Sequence, residues 1–125
     1  LYQLSRELST DQPQLPAIDP QFSEILEYID LHASEKLRLE DVADSLGYNK
    51  NYICHLFQKH IGQTYVQYLT QRRLENARRL LTDTALPIAE IALRCGFSDN
   101  TYFNRVFKRA TNRTPAEYRR GARKA

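Results

Sequence analysis

Apolar positions in this chain recur every three or four residues, the period of a helix with one buried face, and nowhere alternate as they do along a strand. Phe22, Ile25, Leu26, Ile29 and Leu31 make a first stripe, reaching about Ala33. Val42, Ala43 and Leu46 make a short second one, and Ile53, Leu56, Phe57 and His60/Ile61 a third. A long fourth runs through Val66, Leu69, Leu74, Ala77, Leu80 and Leu81. Ile88, Ile91, Ala92 and Cys95 form a short fifth, and Tyr102, Phe103, Val106, Phe107 and Ala110 a sixth. A last helix is expected to end near Arg120, with a frayed GARKA tail. The pattern predicts an all-α chain of about seven helices.

Punctuation supports these limits. Asp19 before Pro20, Asn49, Thr64 and Ser98 are placed to cap helix starts, and Glu40 and Asp41 favour the positive end of a helix dipole. Pro87 suits a first helical position, and Thr114-Pro115-Ala116-Glu117 reads as a capping box. Gly47, Gly62 and Gly96 end helices, and Asn112 does so less comfortably.

The stripes repeat. Ala43 pairs with Ala92, Gly47 with Gly96, Tyr48 with Phe97, Phe57 with Phe107, Thr64 with Thr114 and Tyr68 with Tyr118, at an offset of 49 residues before the turn and 50 after it. Each copy is a short helix, a glycine-aromatic turn and a second helix, the layout of a helix-turn-helix unit. Residues 1–18, with Pro13 and Pro16, read as a tail or linker from an upstream domain, consistent with a chain that starts at Leu1. Residues 19–125 read as one domain: a first unit (19–63), a linker helix (64–82) and a second unit (83–125). The central helix, about 19 residues long, would span roughly 28 Å, close to one DNA turn of about 34 Å.

Charge sharpens this picture. The formal net charge is only +3, yet residues 1–46 hold ten acids and three bases, while residues 47–125 hold fifteen bases and five acids. A positive field over the repeated part points to a polyanion. No apolar run approaches the roughly 18 residues of a membrane helix. The two cysteines, Cys54 and Cys95, are expected to be reduced thiols in a cytoplasmic protein. With three histidines they show no metal-ligand spacing, and no nucleophile–base pair, phosphate loop or acidic metal cluster is present, so neither a cofactor nor a catalytic residue is expected.

Core packing does not explain the polar face of each second helix. In the first copy it carries Asn51, Cys54, His55 and Gln58; in the second Thr101, Asn104, Arg105 and Lys108, with Asn100 at its lip. Arg pairs with guanine, and Asn and Gln with adenine. Asn49, Lys50, Lys59, Arg72, Ser98, Lys108, Arg109 and Arg113 are placed for phosphates.

Three segments together carry a more specific signal. They are Arg73-Leu74-x-x-Ala77-x-x-Leu80-Leu81, Ile88-x-x-Ile91-Ala92-x-x-x-Gly96-Phe97-Ser98 with Tyr102-Phe103-x-Arg105-x-Phe107-Lys108, and Thr114-Pro115-x-x-Tyr118-Arg119. In order and spacing, over about residues 20–120, the chain resembles the AraC/XylS family of bacterial transcription regulators. The resemblance implies two helix-turn-helix subdomains joined by a long helix, with recognition helices at about 50–60 and 99–110 in successive major-groove segments of double-stranded DNA. It implies Asn51, Cys54, His55, Asn100, Thr101, Asn104 and Arg105 as base readers. RNA polymerase, and an upstream effector-sensing or dimerising domain outside this chain, are implied as partners. Cys54-His55 stands where larger polar residues are frequent in the family, and Asn112 where glycine is usual.

A helical RNA-binding or protein-docking module would use the same basic surface. Most of the chain's aromatic residues fall in the apolar pattern, which leaves few to stack on unpaired bases.

Overall fold

The computed structural model describes residues 19–124, so the expectations for residues 1–18 lie outside it. Among the described residues there are seven helices and no strand: α1 (Pro20–His32), α2 (Leu39–Leu46), α3 (Lys50–Ile61), α4 (Tyr65–Asp83), α5 (Ile88–Arg94), α6 (Asn100–Thr111) and α7 (Pro115–Lys124). No helix among them is long and apolar enough to cross a membrane.

Two cores form, and α4 belongs to both. Phe22, Ile25 and Ile29 of α1, Val42 and Ala43 of α2, Ile53, Leu56 and Phe57 of α3, and Tyr65 and Leu69 of α4 make the first. Leu74, Ala77 and Leu81 of the same α4, with Ile91 and Ala92 of α5, Phe103, Val106 and Phe107 of α6, and Tyr118 of α7 packed against them, make the second. The duplication therefore reaches further than the helix-turn-helix segments. The spacing of Phe22, Ile25 and Ile29 recurs in Leu74, Ala77 and Leu81, and each triad is the floor of its own core. Helix α4 closes the first unit with its opening turns and begins the second with its later ones. It is a shared wall rather than a bare linker.

The caps follow the sequence with two corrections. Asp19, Asn49 and Thr64 cap α1, α3 and α4, and the Thr64–Gln67 box is matched by Thr114–Glu117 at α7. Ser98 was expected to cap α6, but Asp99 does so, accepting from the Thr101 N–H at 2.9 Å. A carboxylate one residue later reaches the open amides and suits the helix dipole. Pro87 is the residue before α5, not its first residue. The last helix continues past Arg120 to Lys124.

Several stripe positions also change. Leu31 is 74% exposed, Val66 63% and Tyr102 41%; Ile61 and Ala110 are exposed as well. In α4 the buried residue is Tyr65 rather than Val66. The Tyr65 hydroxyl donates to the Leu37 carbonyl at 2.7 Å, which satisfies a polar atom that burial would otherwise strand.

Tyrosines also fasten α1. The hydroxyls of Tyr48, Tyr52 and Tyr68 donate to Glu24, Gln21 and Asp30 of α1. The acids on the outer face of α1 thus become attachment points for the rest of the first unit.

Candidate nucleic-acid interface

Helices α3 and α6 hold equivalent places in the two units, and neither contains an acidic residue. Each is set by the turn before it. Gly47 (φ 76°) and Gly96 (φ 98°) adopt the left-handed backbone that turns the chain between helices. Each helix then buries Ile53, Leu56 and Phe57, or Phe103, Val106 and Phe107, with the aromatic rings meeting edge-on or tilted. That burial fixes which side faces outward.

The expected base readers fall on that outward side. Asn51, Cys54 and His55 of α3 are exposed, as are Asn100, Thr101 and Arg105 of α6, and Asn104 is half-buried. Two are already held. The Arg105 guanidinium lies 5.3 Å from the centre of the Tyr102 ring, a cation–π contact that limits its freedom. Tyr102 is therefore a platform for Arg105, not a core residue. The Asn104 amide nitrogen donates to the Asn100 carbonyl at 2.7 Å, which holds the side chain while leaving its second N–H and its carbonyl oxygen for an adenine edge.

The expected phosphate residues divide. Lys59, Lys108, Arg109 and Arg113 are exposed, as are Asn49 and Ser98. The Arg113 guanidinium lies over Gly121 of α7, where an added Cβ would come within 2.7 Å of it. Lys50 is exposed and pairs with Glu40 at 3.3 Å, and that contact contributes to holding the Glu40 carboxyl below its usual range, after its backbone hydrogen bond. Arg72 is committed elsewhere. It lies 3.0 Å from Asp30 and also pairs with Glu75, while the Tyr68 hydroxyl donates to the same Asp30 oxygen. This network ties α4 to α1.

Three arginines have roles that the stripe pattern did not reveal. Arg73 donates from Nε to the Ala33 carbonyl and from Nη2 to the Glu35 carbonyl, each at 2.7 Å. Arg119 donates to the Leu81 and Thr84 carbonyls, and Arg123 to Thr84. Both sets close the carbonyl end of a unit's first helix, α1 or α4. The 50-residue offset pairs Arg73 with Arg123, a signal that was available in the sequence.

Between the units, Gln63, Gln67 and Gln71 face Val106, Arg109 and Ala110 across an acid-free cleft of about 420 Å³. The cysteines are free; Cys54 is exposed, and burial pushes the Cys95 thiol up to about 11.

Two overlapping units, each presenting an acid-free second helix from a glycine turn, define a tandem helix-turn-helix protein. Comparison with known proteins makes this specific. A family model described as a helix-turn-helix domain matches residues 42–121. The uncharacterized HTH-type transcriptional regulator YijO of Escherichia coli is 42% identical over 99 residues, 79% of this chain and 35% of YijO. Regulatory protein SoxS of Salmonella typhimurium is 39% identical over 95 residues, 76% of this chain and 89% of SoxS. The C-terminal domain of AraT, a response regulator from Geobacillus stearothermophilus, superposes with a TM-score of 0.80 at 36% identity, covering 85% of this chain and 88% of that one. The DNA-binding domain of AdpA, solved in complex with a target DNA, superposes with a TM-score of 0.77 at 26% identity, covering 82% and 92%. The chain belongs to the AraC/XylS family of transcription regulators, and its fold is that of the family's DNA-binding domain. It spans 35% and 28% of the length of the first two curated relatives it matches.

Proposed function

We propose that this domain binds double-stranded DNA sequence-specifically, with α3 and α6 in successive major-groove segments on one side of the duplex. One observation carries the reading: two equivalent helices, both free of acids, turn donor-rich faces outward from a duplicated scaffold. In it, Asn51, Cys54 and His55 read one segment, and Asn100, Thr101, Asn104 and Arg105 the other. Asn49, Lys50, Lys59, Ser98, Lys108, Arg109 and Arg113 hold phosphates. The Gln63–Arg109 cleft faces the backbone between them. Arg72 joins the phosphate set only where DNA outcompetes Asp30 and Glu75. The AdpA domain, which carries the same fold, was solved on a target DNA, which supports the assignment.

The parent protein acts in the cytoplasm as a transcription regulator that contacts RNA polymerase, with a further domain sensing an effector or dimerising. Selection from a random duplex library tests the central reading. Enrichment of a two-block consensus with blocks about one helical turn apart is the expected result. Failure to enrich any duplex, or enrichment of RNA instead, would overturn it.

A further inference from the structure

Arg73 sits where the two units overlap on α4. On one side its guanidinium fork closes the carbonyl end of α1 through Ala33 and Glu35. On its other side lies Gly96, in the turn that launches α6. A Cβ built on Gly96 would stand 2.6 Å from Arg73 Nε and 2.7 Å from the Ala33 carbonyl oxygen, so this turn is pressed onto the arginine and the carbonyl it binds. The equivalent Gly47 also has a positive φ but nothing within 4 Å of the corresponding position. One glycine therefore answers a backbone requirement, and the other is also a contact surface. Burial pulls the Arg73 pKa down from its usual value, as expected for a guanidinium enclosed from several sides.

We propose that Arg73, clamped between the end of α1 and the Gly96 turn, is an interlock that sets the angle between the two helix-turn-helix units. Helix α4 runs through both cores. Rotation and bending about it are limited by contact away from its axis, and the Arg73–Gly96 contact at the end of α1 supplies it. Arg73 is a positioning residue: its guanidinium is engaged by the Ala33 and Glu35 carbonyls, and it acts through the relative placement of α3 and α6. The consequence for binding rests on the proposed DNA reading; the geometry does not.

The test therefore uses no DNA. Spin labels are attached to native Cys54, exposed on α3, and to a cysteine introduced as Thr101→Cys on α6; buried Cys95 does not compete. Pulsed dipolar spectroscopy should give one narrow distance in the otherwise native chain. In Arg73→Ala the distribution should broaden about twofold, as expected for domains whose interface has been loosened, with a cooperative melt retained. Arg73→Lys, a point charge unable to fork across two carbonyls, should broaden it less. Gly96→Ala should shift the mean distance, whereas Gly47→Ala, which carries the φ strain alone, should not. An unchanged distribution in folded Arg73→Ala would overturn the proposal. Should that variant fail to melt cooperatively, Arg73→Lys and Gly96→Ala decide it in the same assay. Loss of folding in all three would also overturn it, since the contact would then belong to the fold itself. A domain that selects no DNA leaves these distances unaffected, so the two readings fail separately.

Discussion

At the scale of single residues, two side chains invite opposite expectations. Arg105 is exposed, held over Tyr102, and able to present two donors to guanine. Arg105→Ala should cost roughly 1–3 kcal/mol of binding and relax preference at one base position. Cys54 is exposed but a weak donor, so Cys54→Ala should cost little. Fluorescence anisotropy on a selected site measures both, and equal losses would contradict the unequal roles. Tyr65 bears on stability. Burial pushes its pKa up to about 12, so the folded chain keeps a proton that the unfolded chain releases above about 10. The contribution is complete below about pH 10 and is lost as pH rises toward about 12. Burial and the bond to Asp30 raise the Tyr68 pKa in the same sense. Denaturant melts should therefore show stability falling through this window, less steeply in Tyr65→Phe. At neutral pH that variant should be about 1–2 kcal/mol less stable, because the Leu37 carbonyl loses its buried donor.

At the scale of elements, periodicity and punctuation made most of the fold legible. Asn49 and Thr64 ahead of apolar stripes, and the matched Thr64 and Thr114 boxes, place helix starts because the capping chemistry is local. The errors arise where tertiary contacts decide. Val66 and Tyr65 are neighbours at the edge of one stripe, and the periodicity chose Val66. Tyr65 is buried because its hydroxyl reaches a carbonyl 28 residues away, which no window on α4 contains. Leu31 failed for the complementary reason: it has the right type at the margin of α1, but among the described residues it stays 74% exposed. On the candidate site, Asn51, His55 and Arg105 were legible as exposed polar residues on an amphipathic helix. The engagement of Arg72 with Asp30 and Glu75 was not, since a basic residue within a basic stretch gives no sign of a distant carboxylate. The roles of Arg73 and Arg123 were hidden in the same way. Only the repeat offset links them, and it shows equivalence without showing what they bind.

At the scale of the whole molecule, an acidic first unit is joined to a basic remainder, and both share one helix. If about six phosphates are neutralised, log K should fall with log salt at a slope near −5. A slope near zero in a titration series would remove the electrostatic basis of the DNA reading. The shared helix allows a sharper test of tandem reading. Tyr65 and Leu69 belong to the first core and Leu74, Ala77 and Leu81 to the second, so the segment between Leu69 and Leu74 is where α4 passes from one unit to the other. Two alanines inserted between Gln71 and Arg72 leave both sets of buried residues in their own registers. They would rotate the second unit by about 200° and move it about 3 Å along the axis. An insertion further along, between Ala77 and Leu81, would instead split the floor of the second core and confuse unfolding with misplacement. The variant should still melt cooperatively by circular dichroism, with some stability lost where Arg73 leaves the end of α1. Its affinity for the selected two-block site should fall toward the level of random DNA, while the salt-dependent component survives because no basic residue has been removed. Full affinity for the unaltered site, in a variant that melts normally, would mean that α3 and α6 do not read one face of the duplex together. Binding would then have to come from one unit alone.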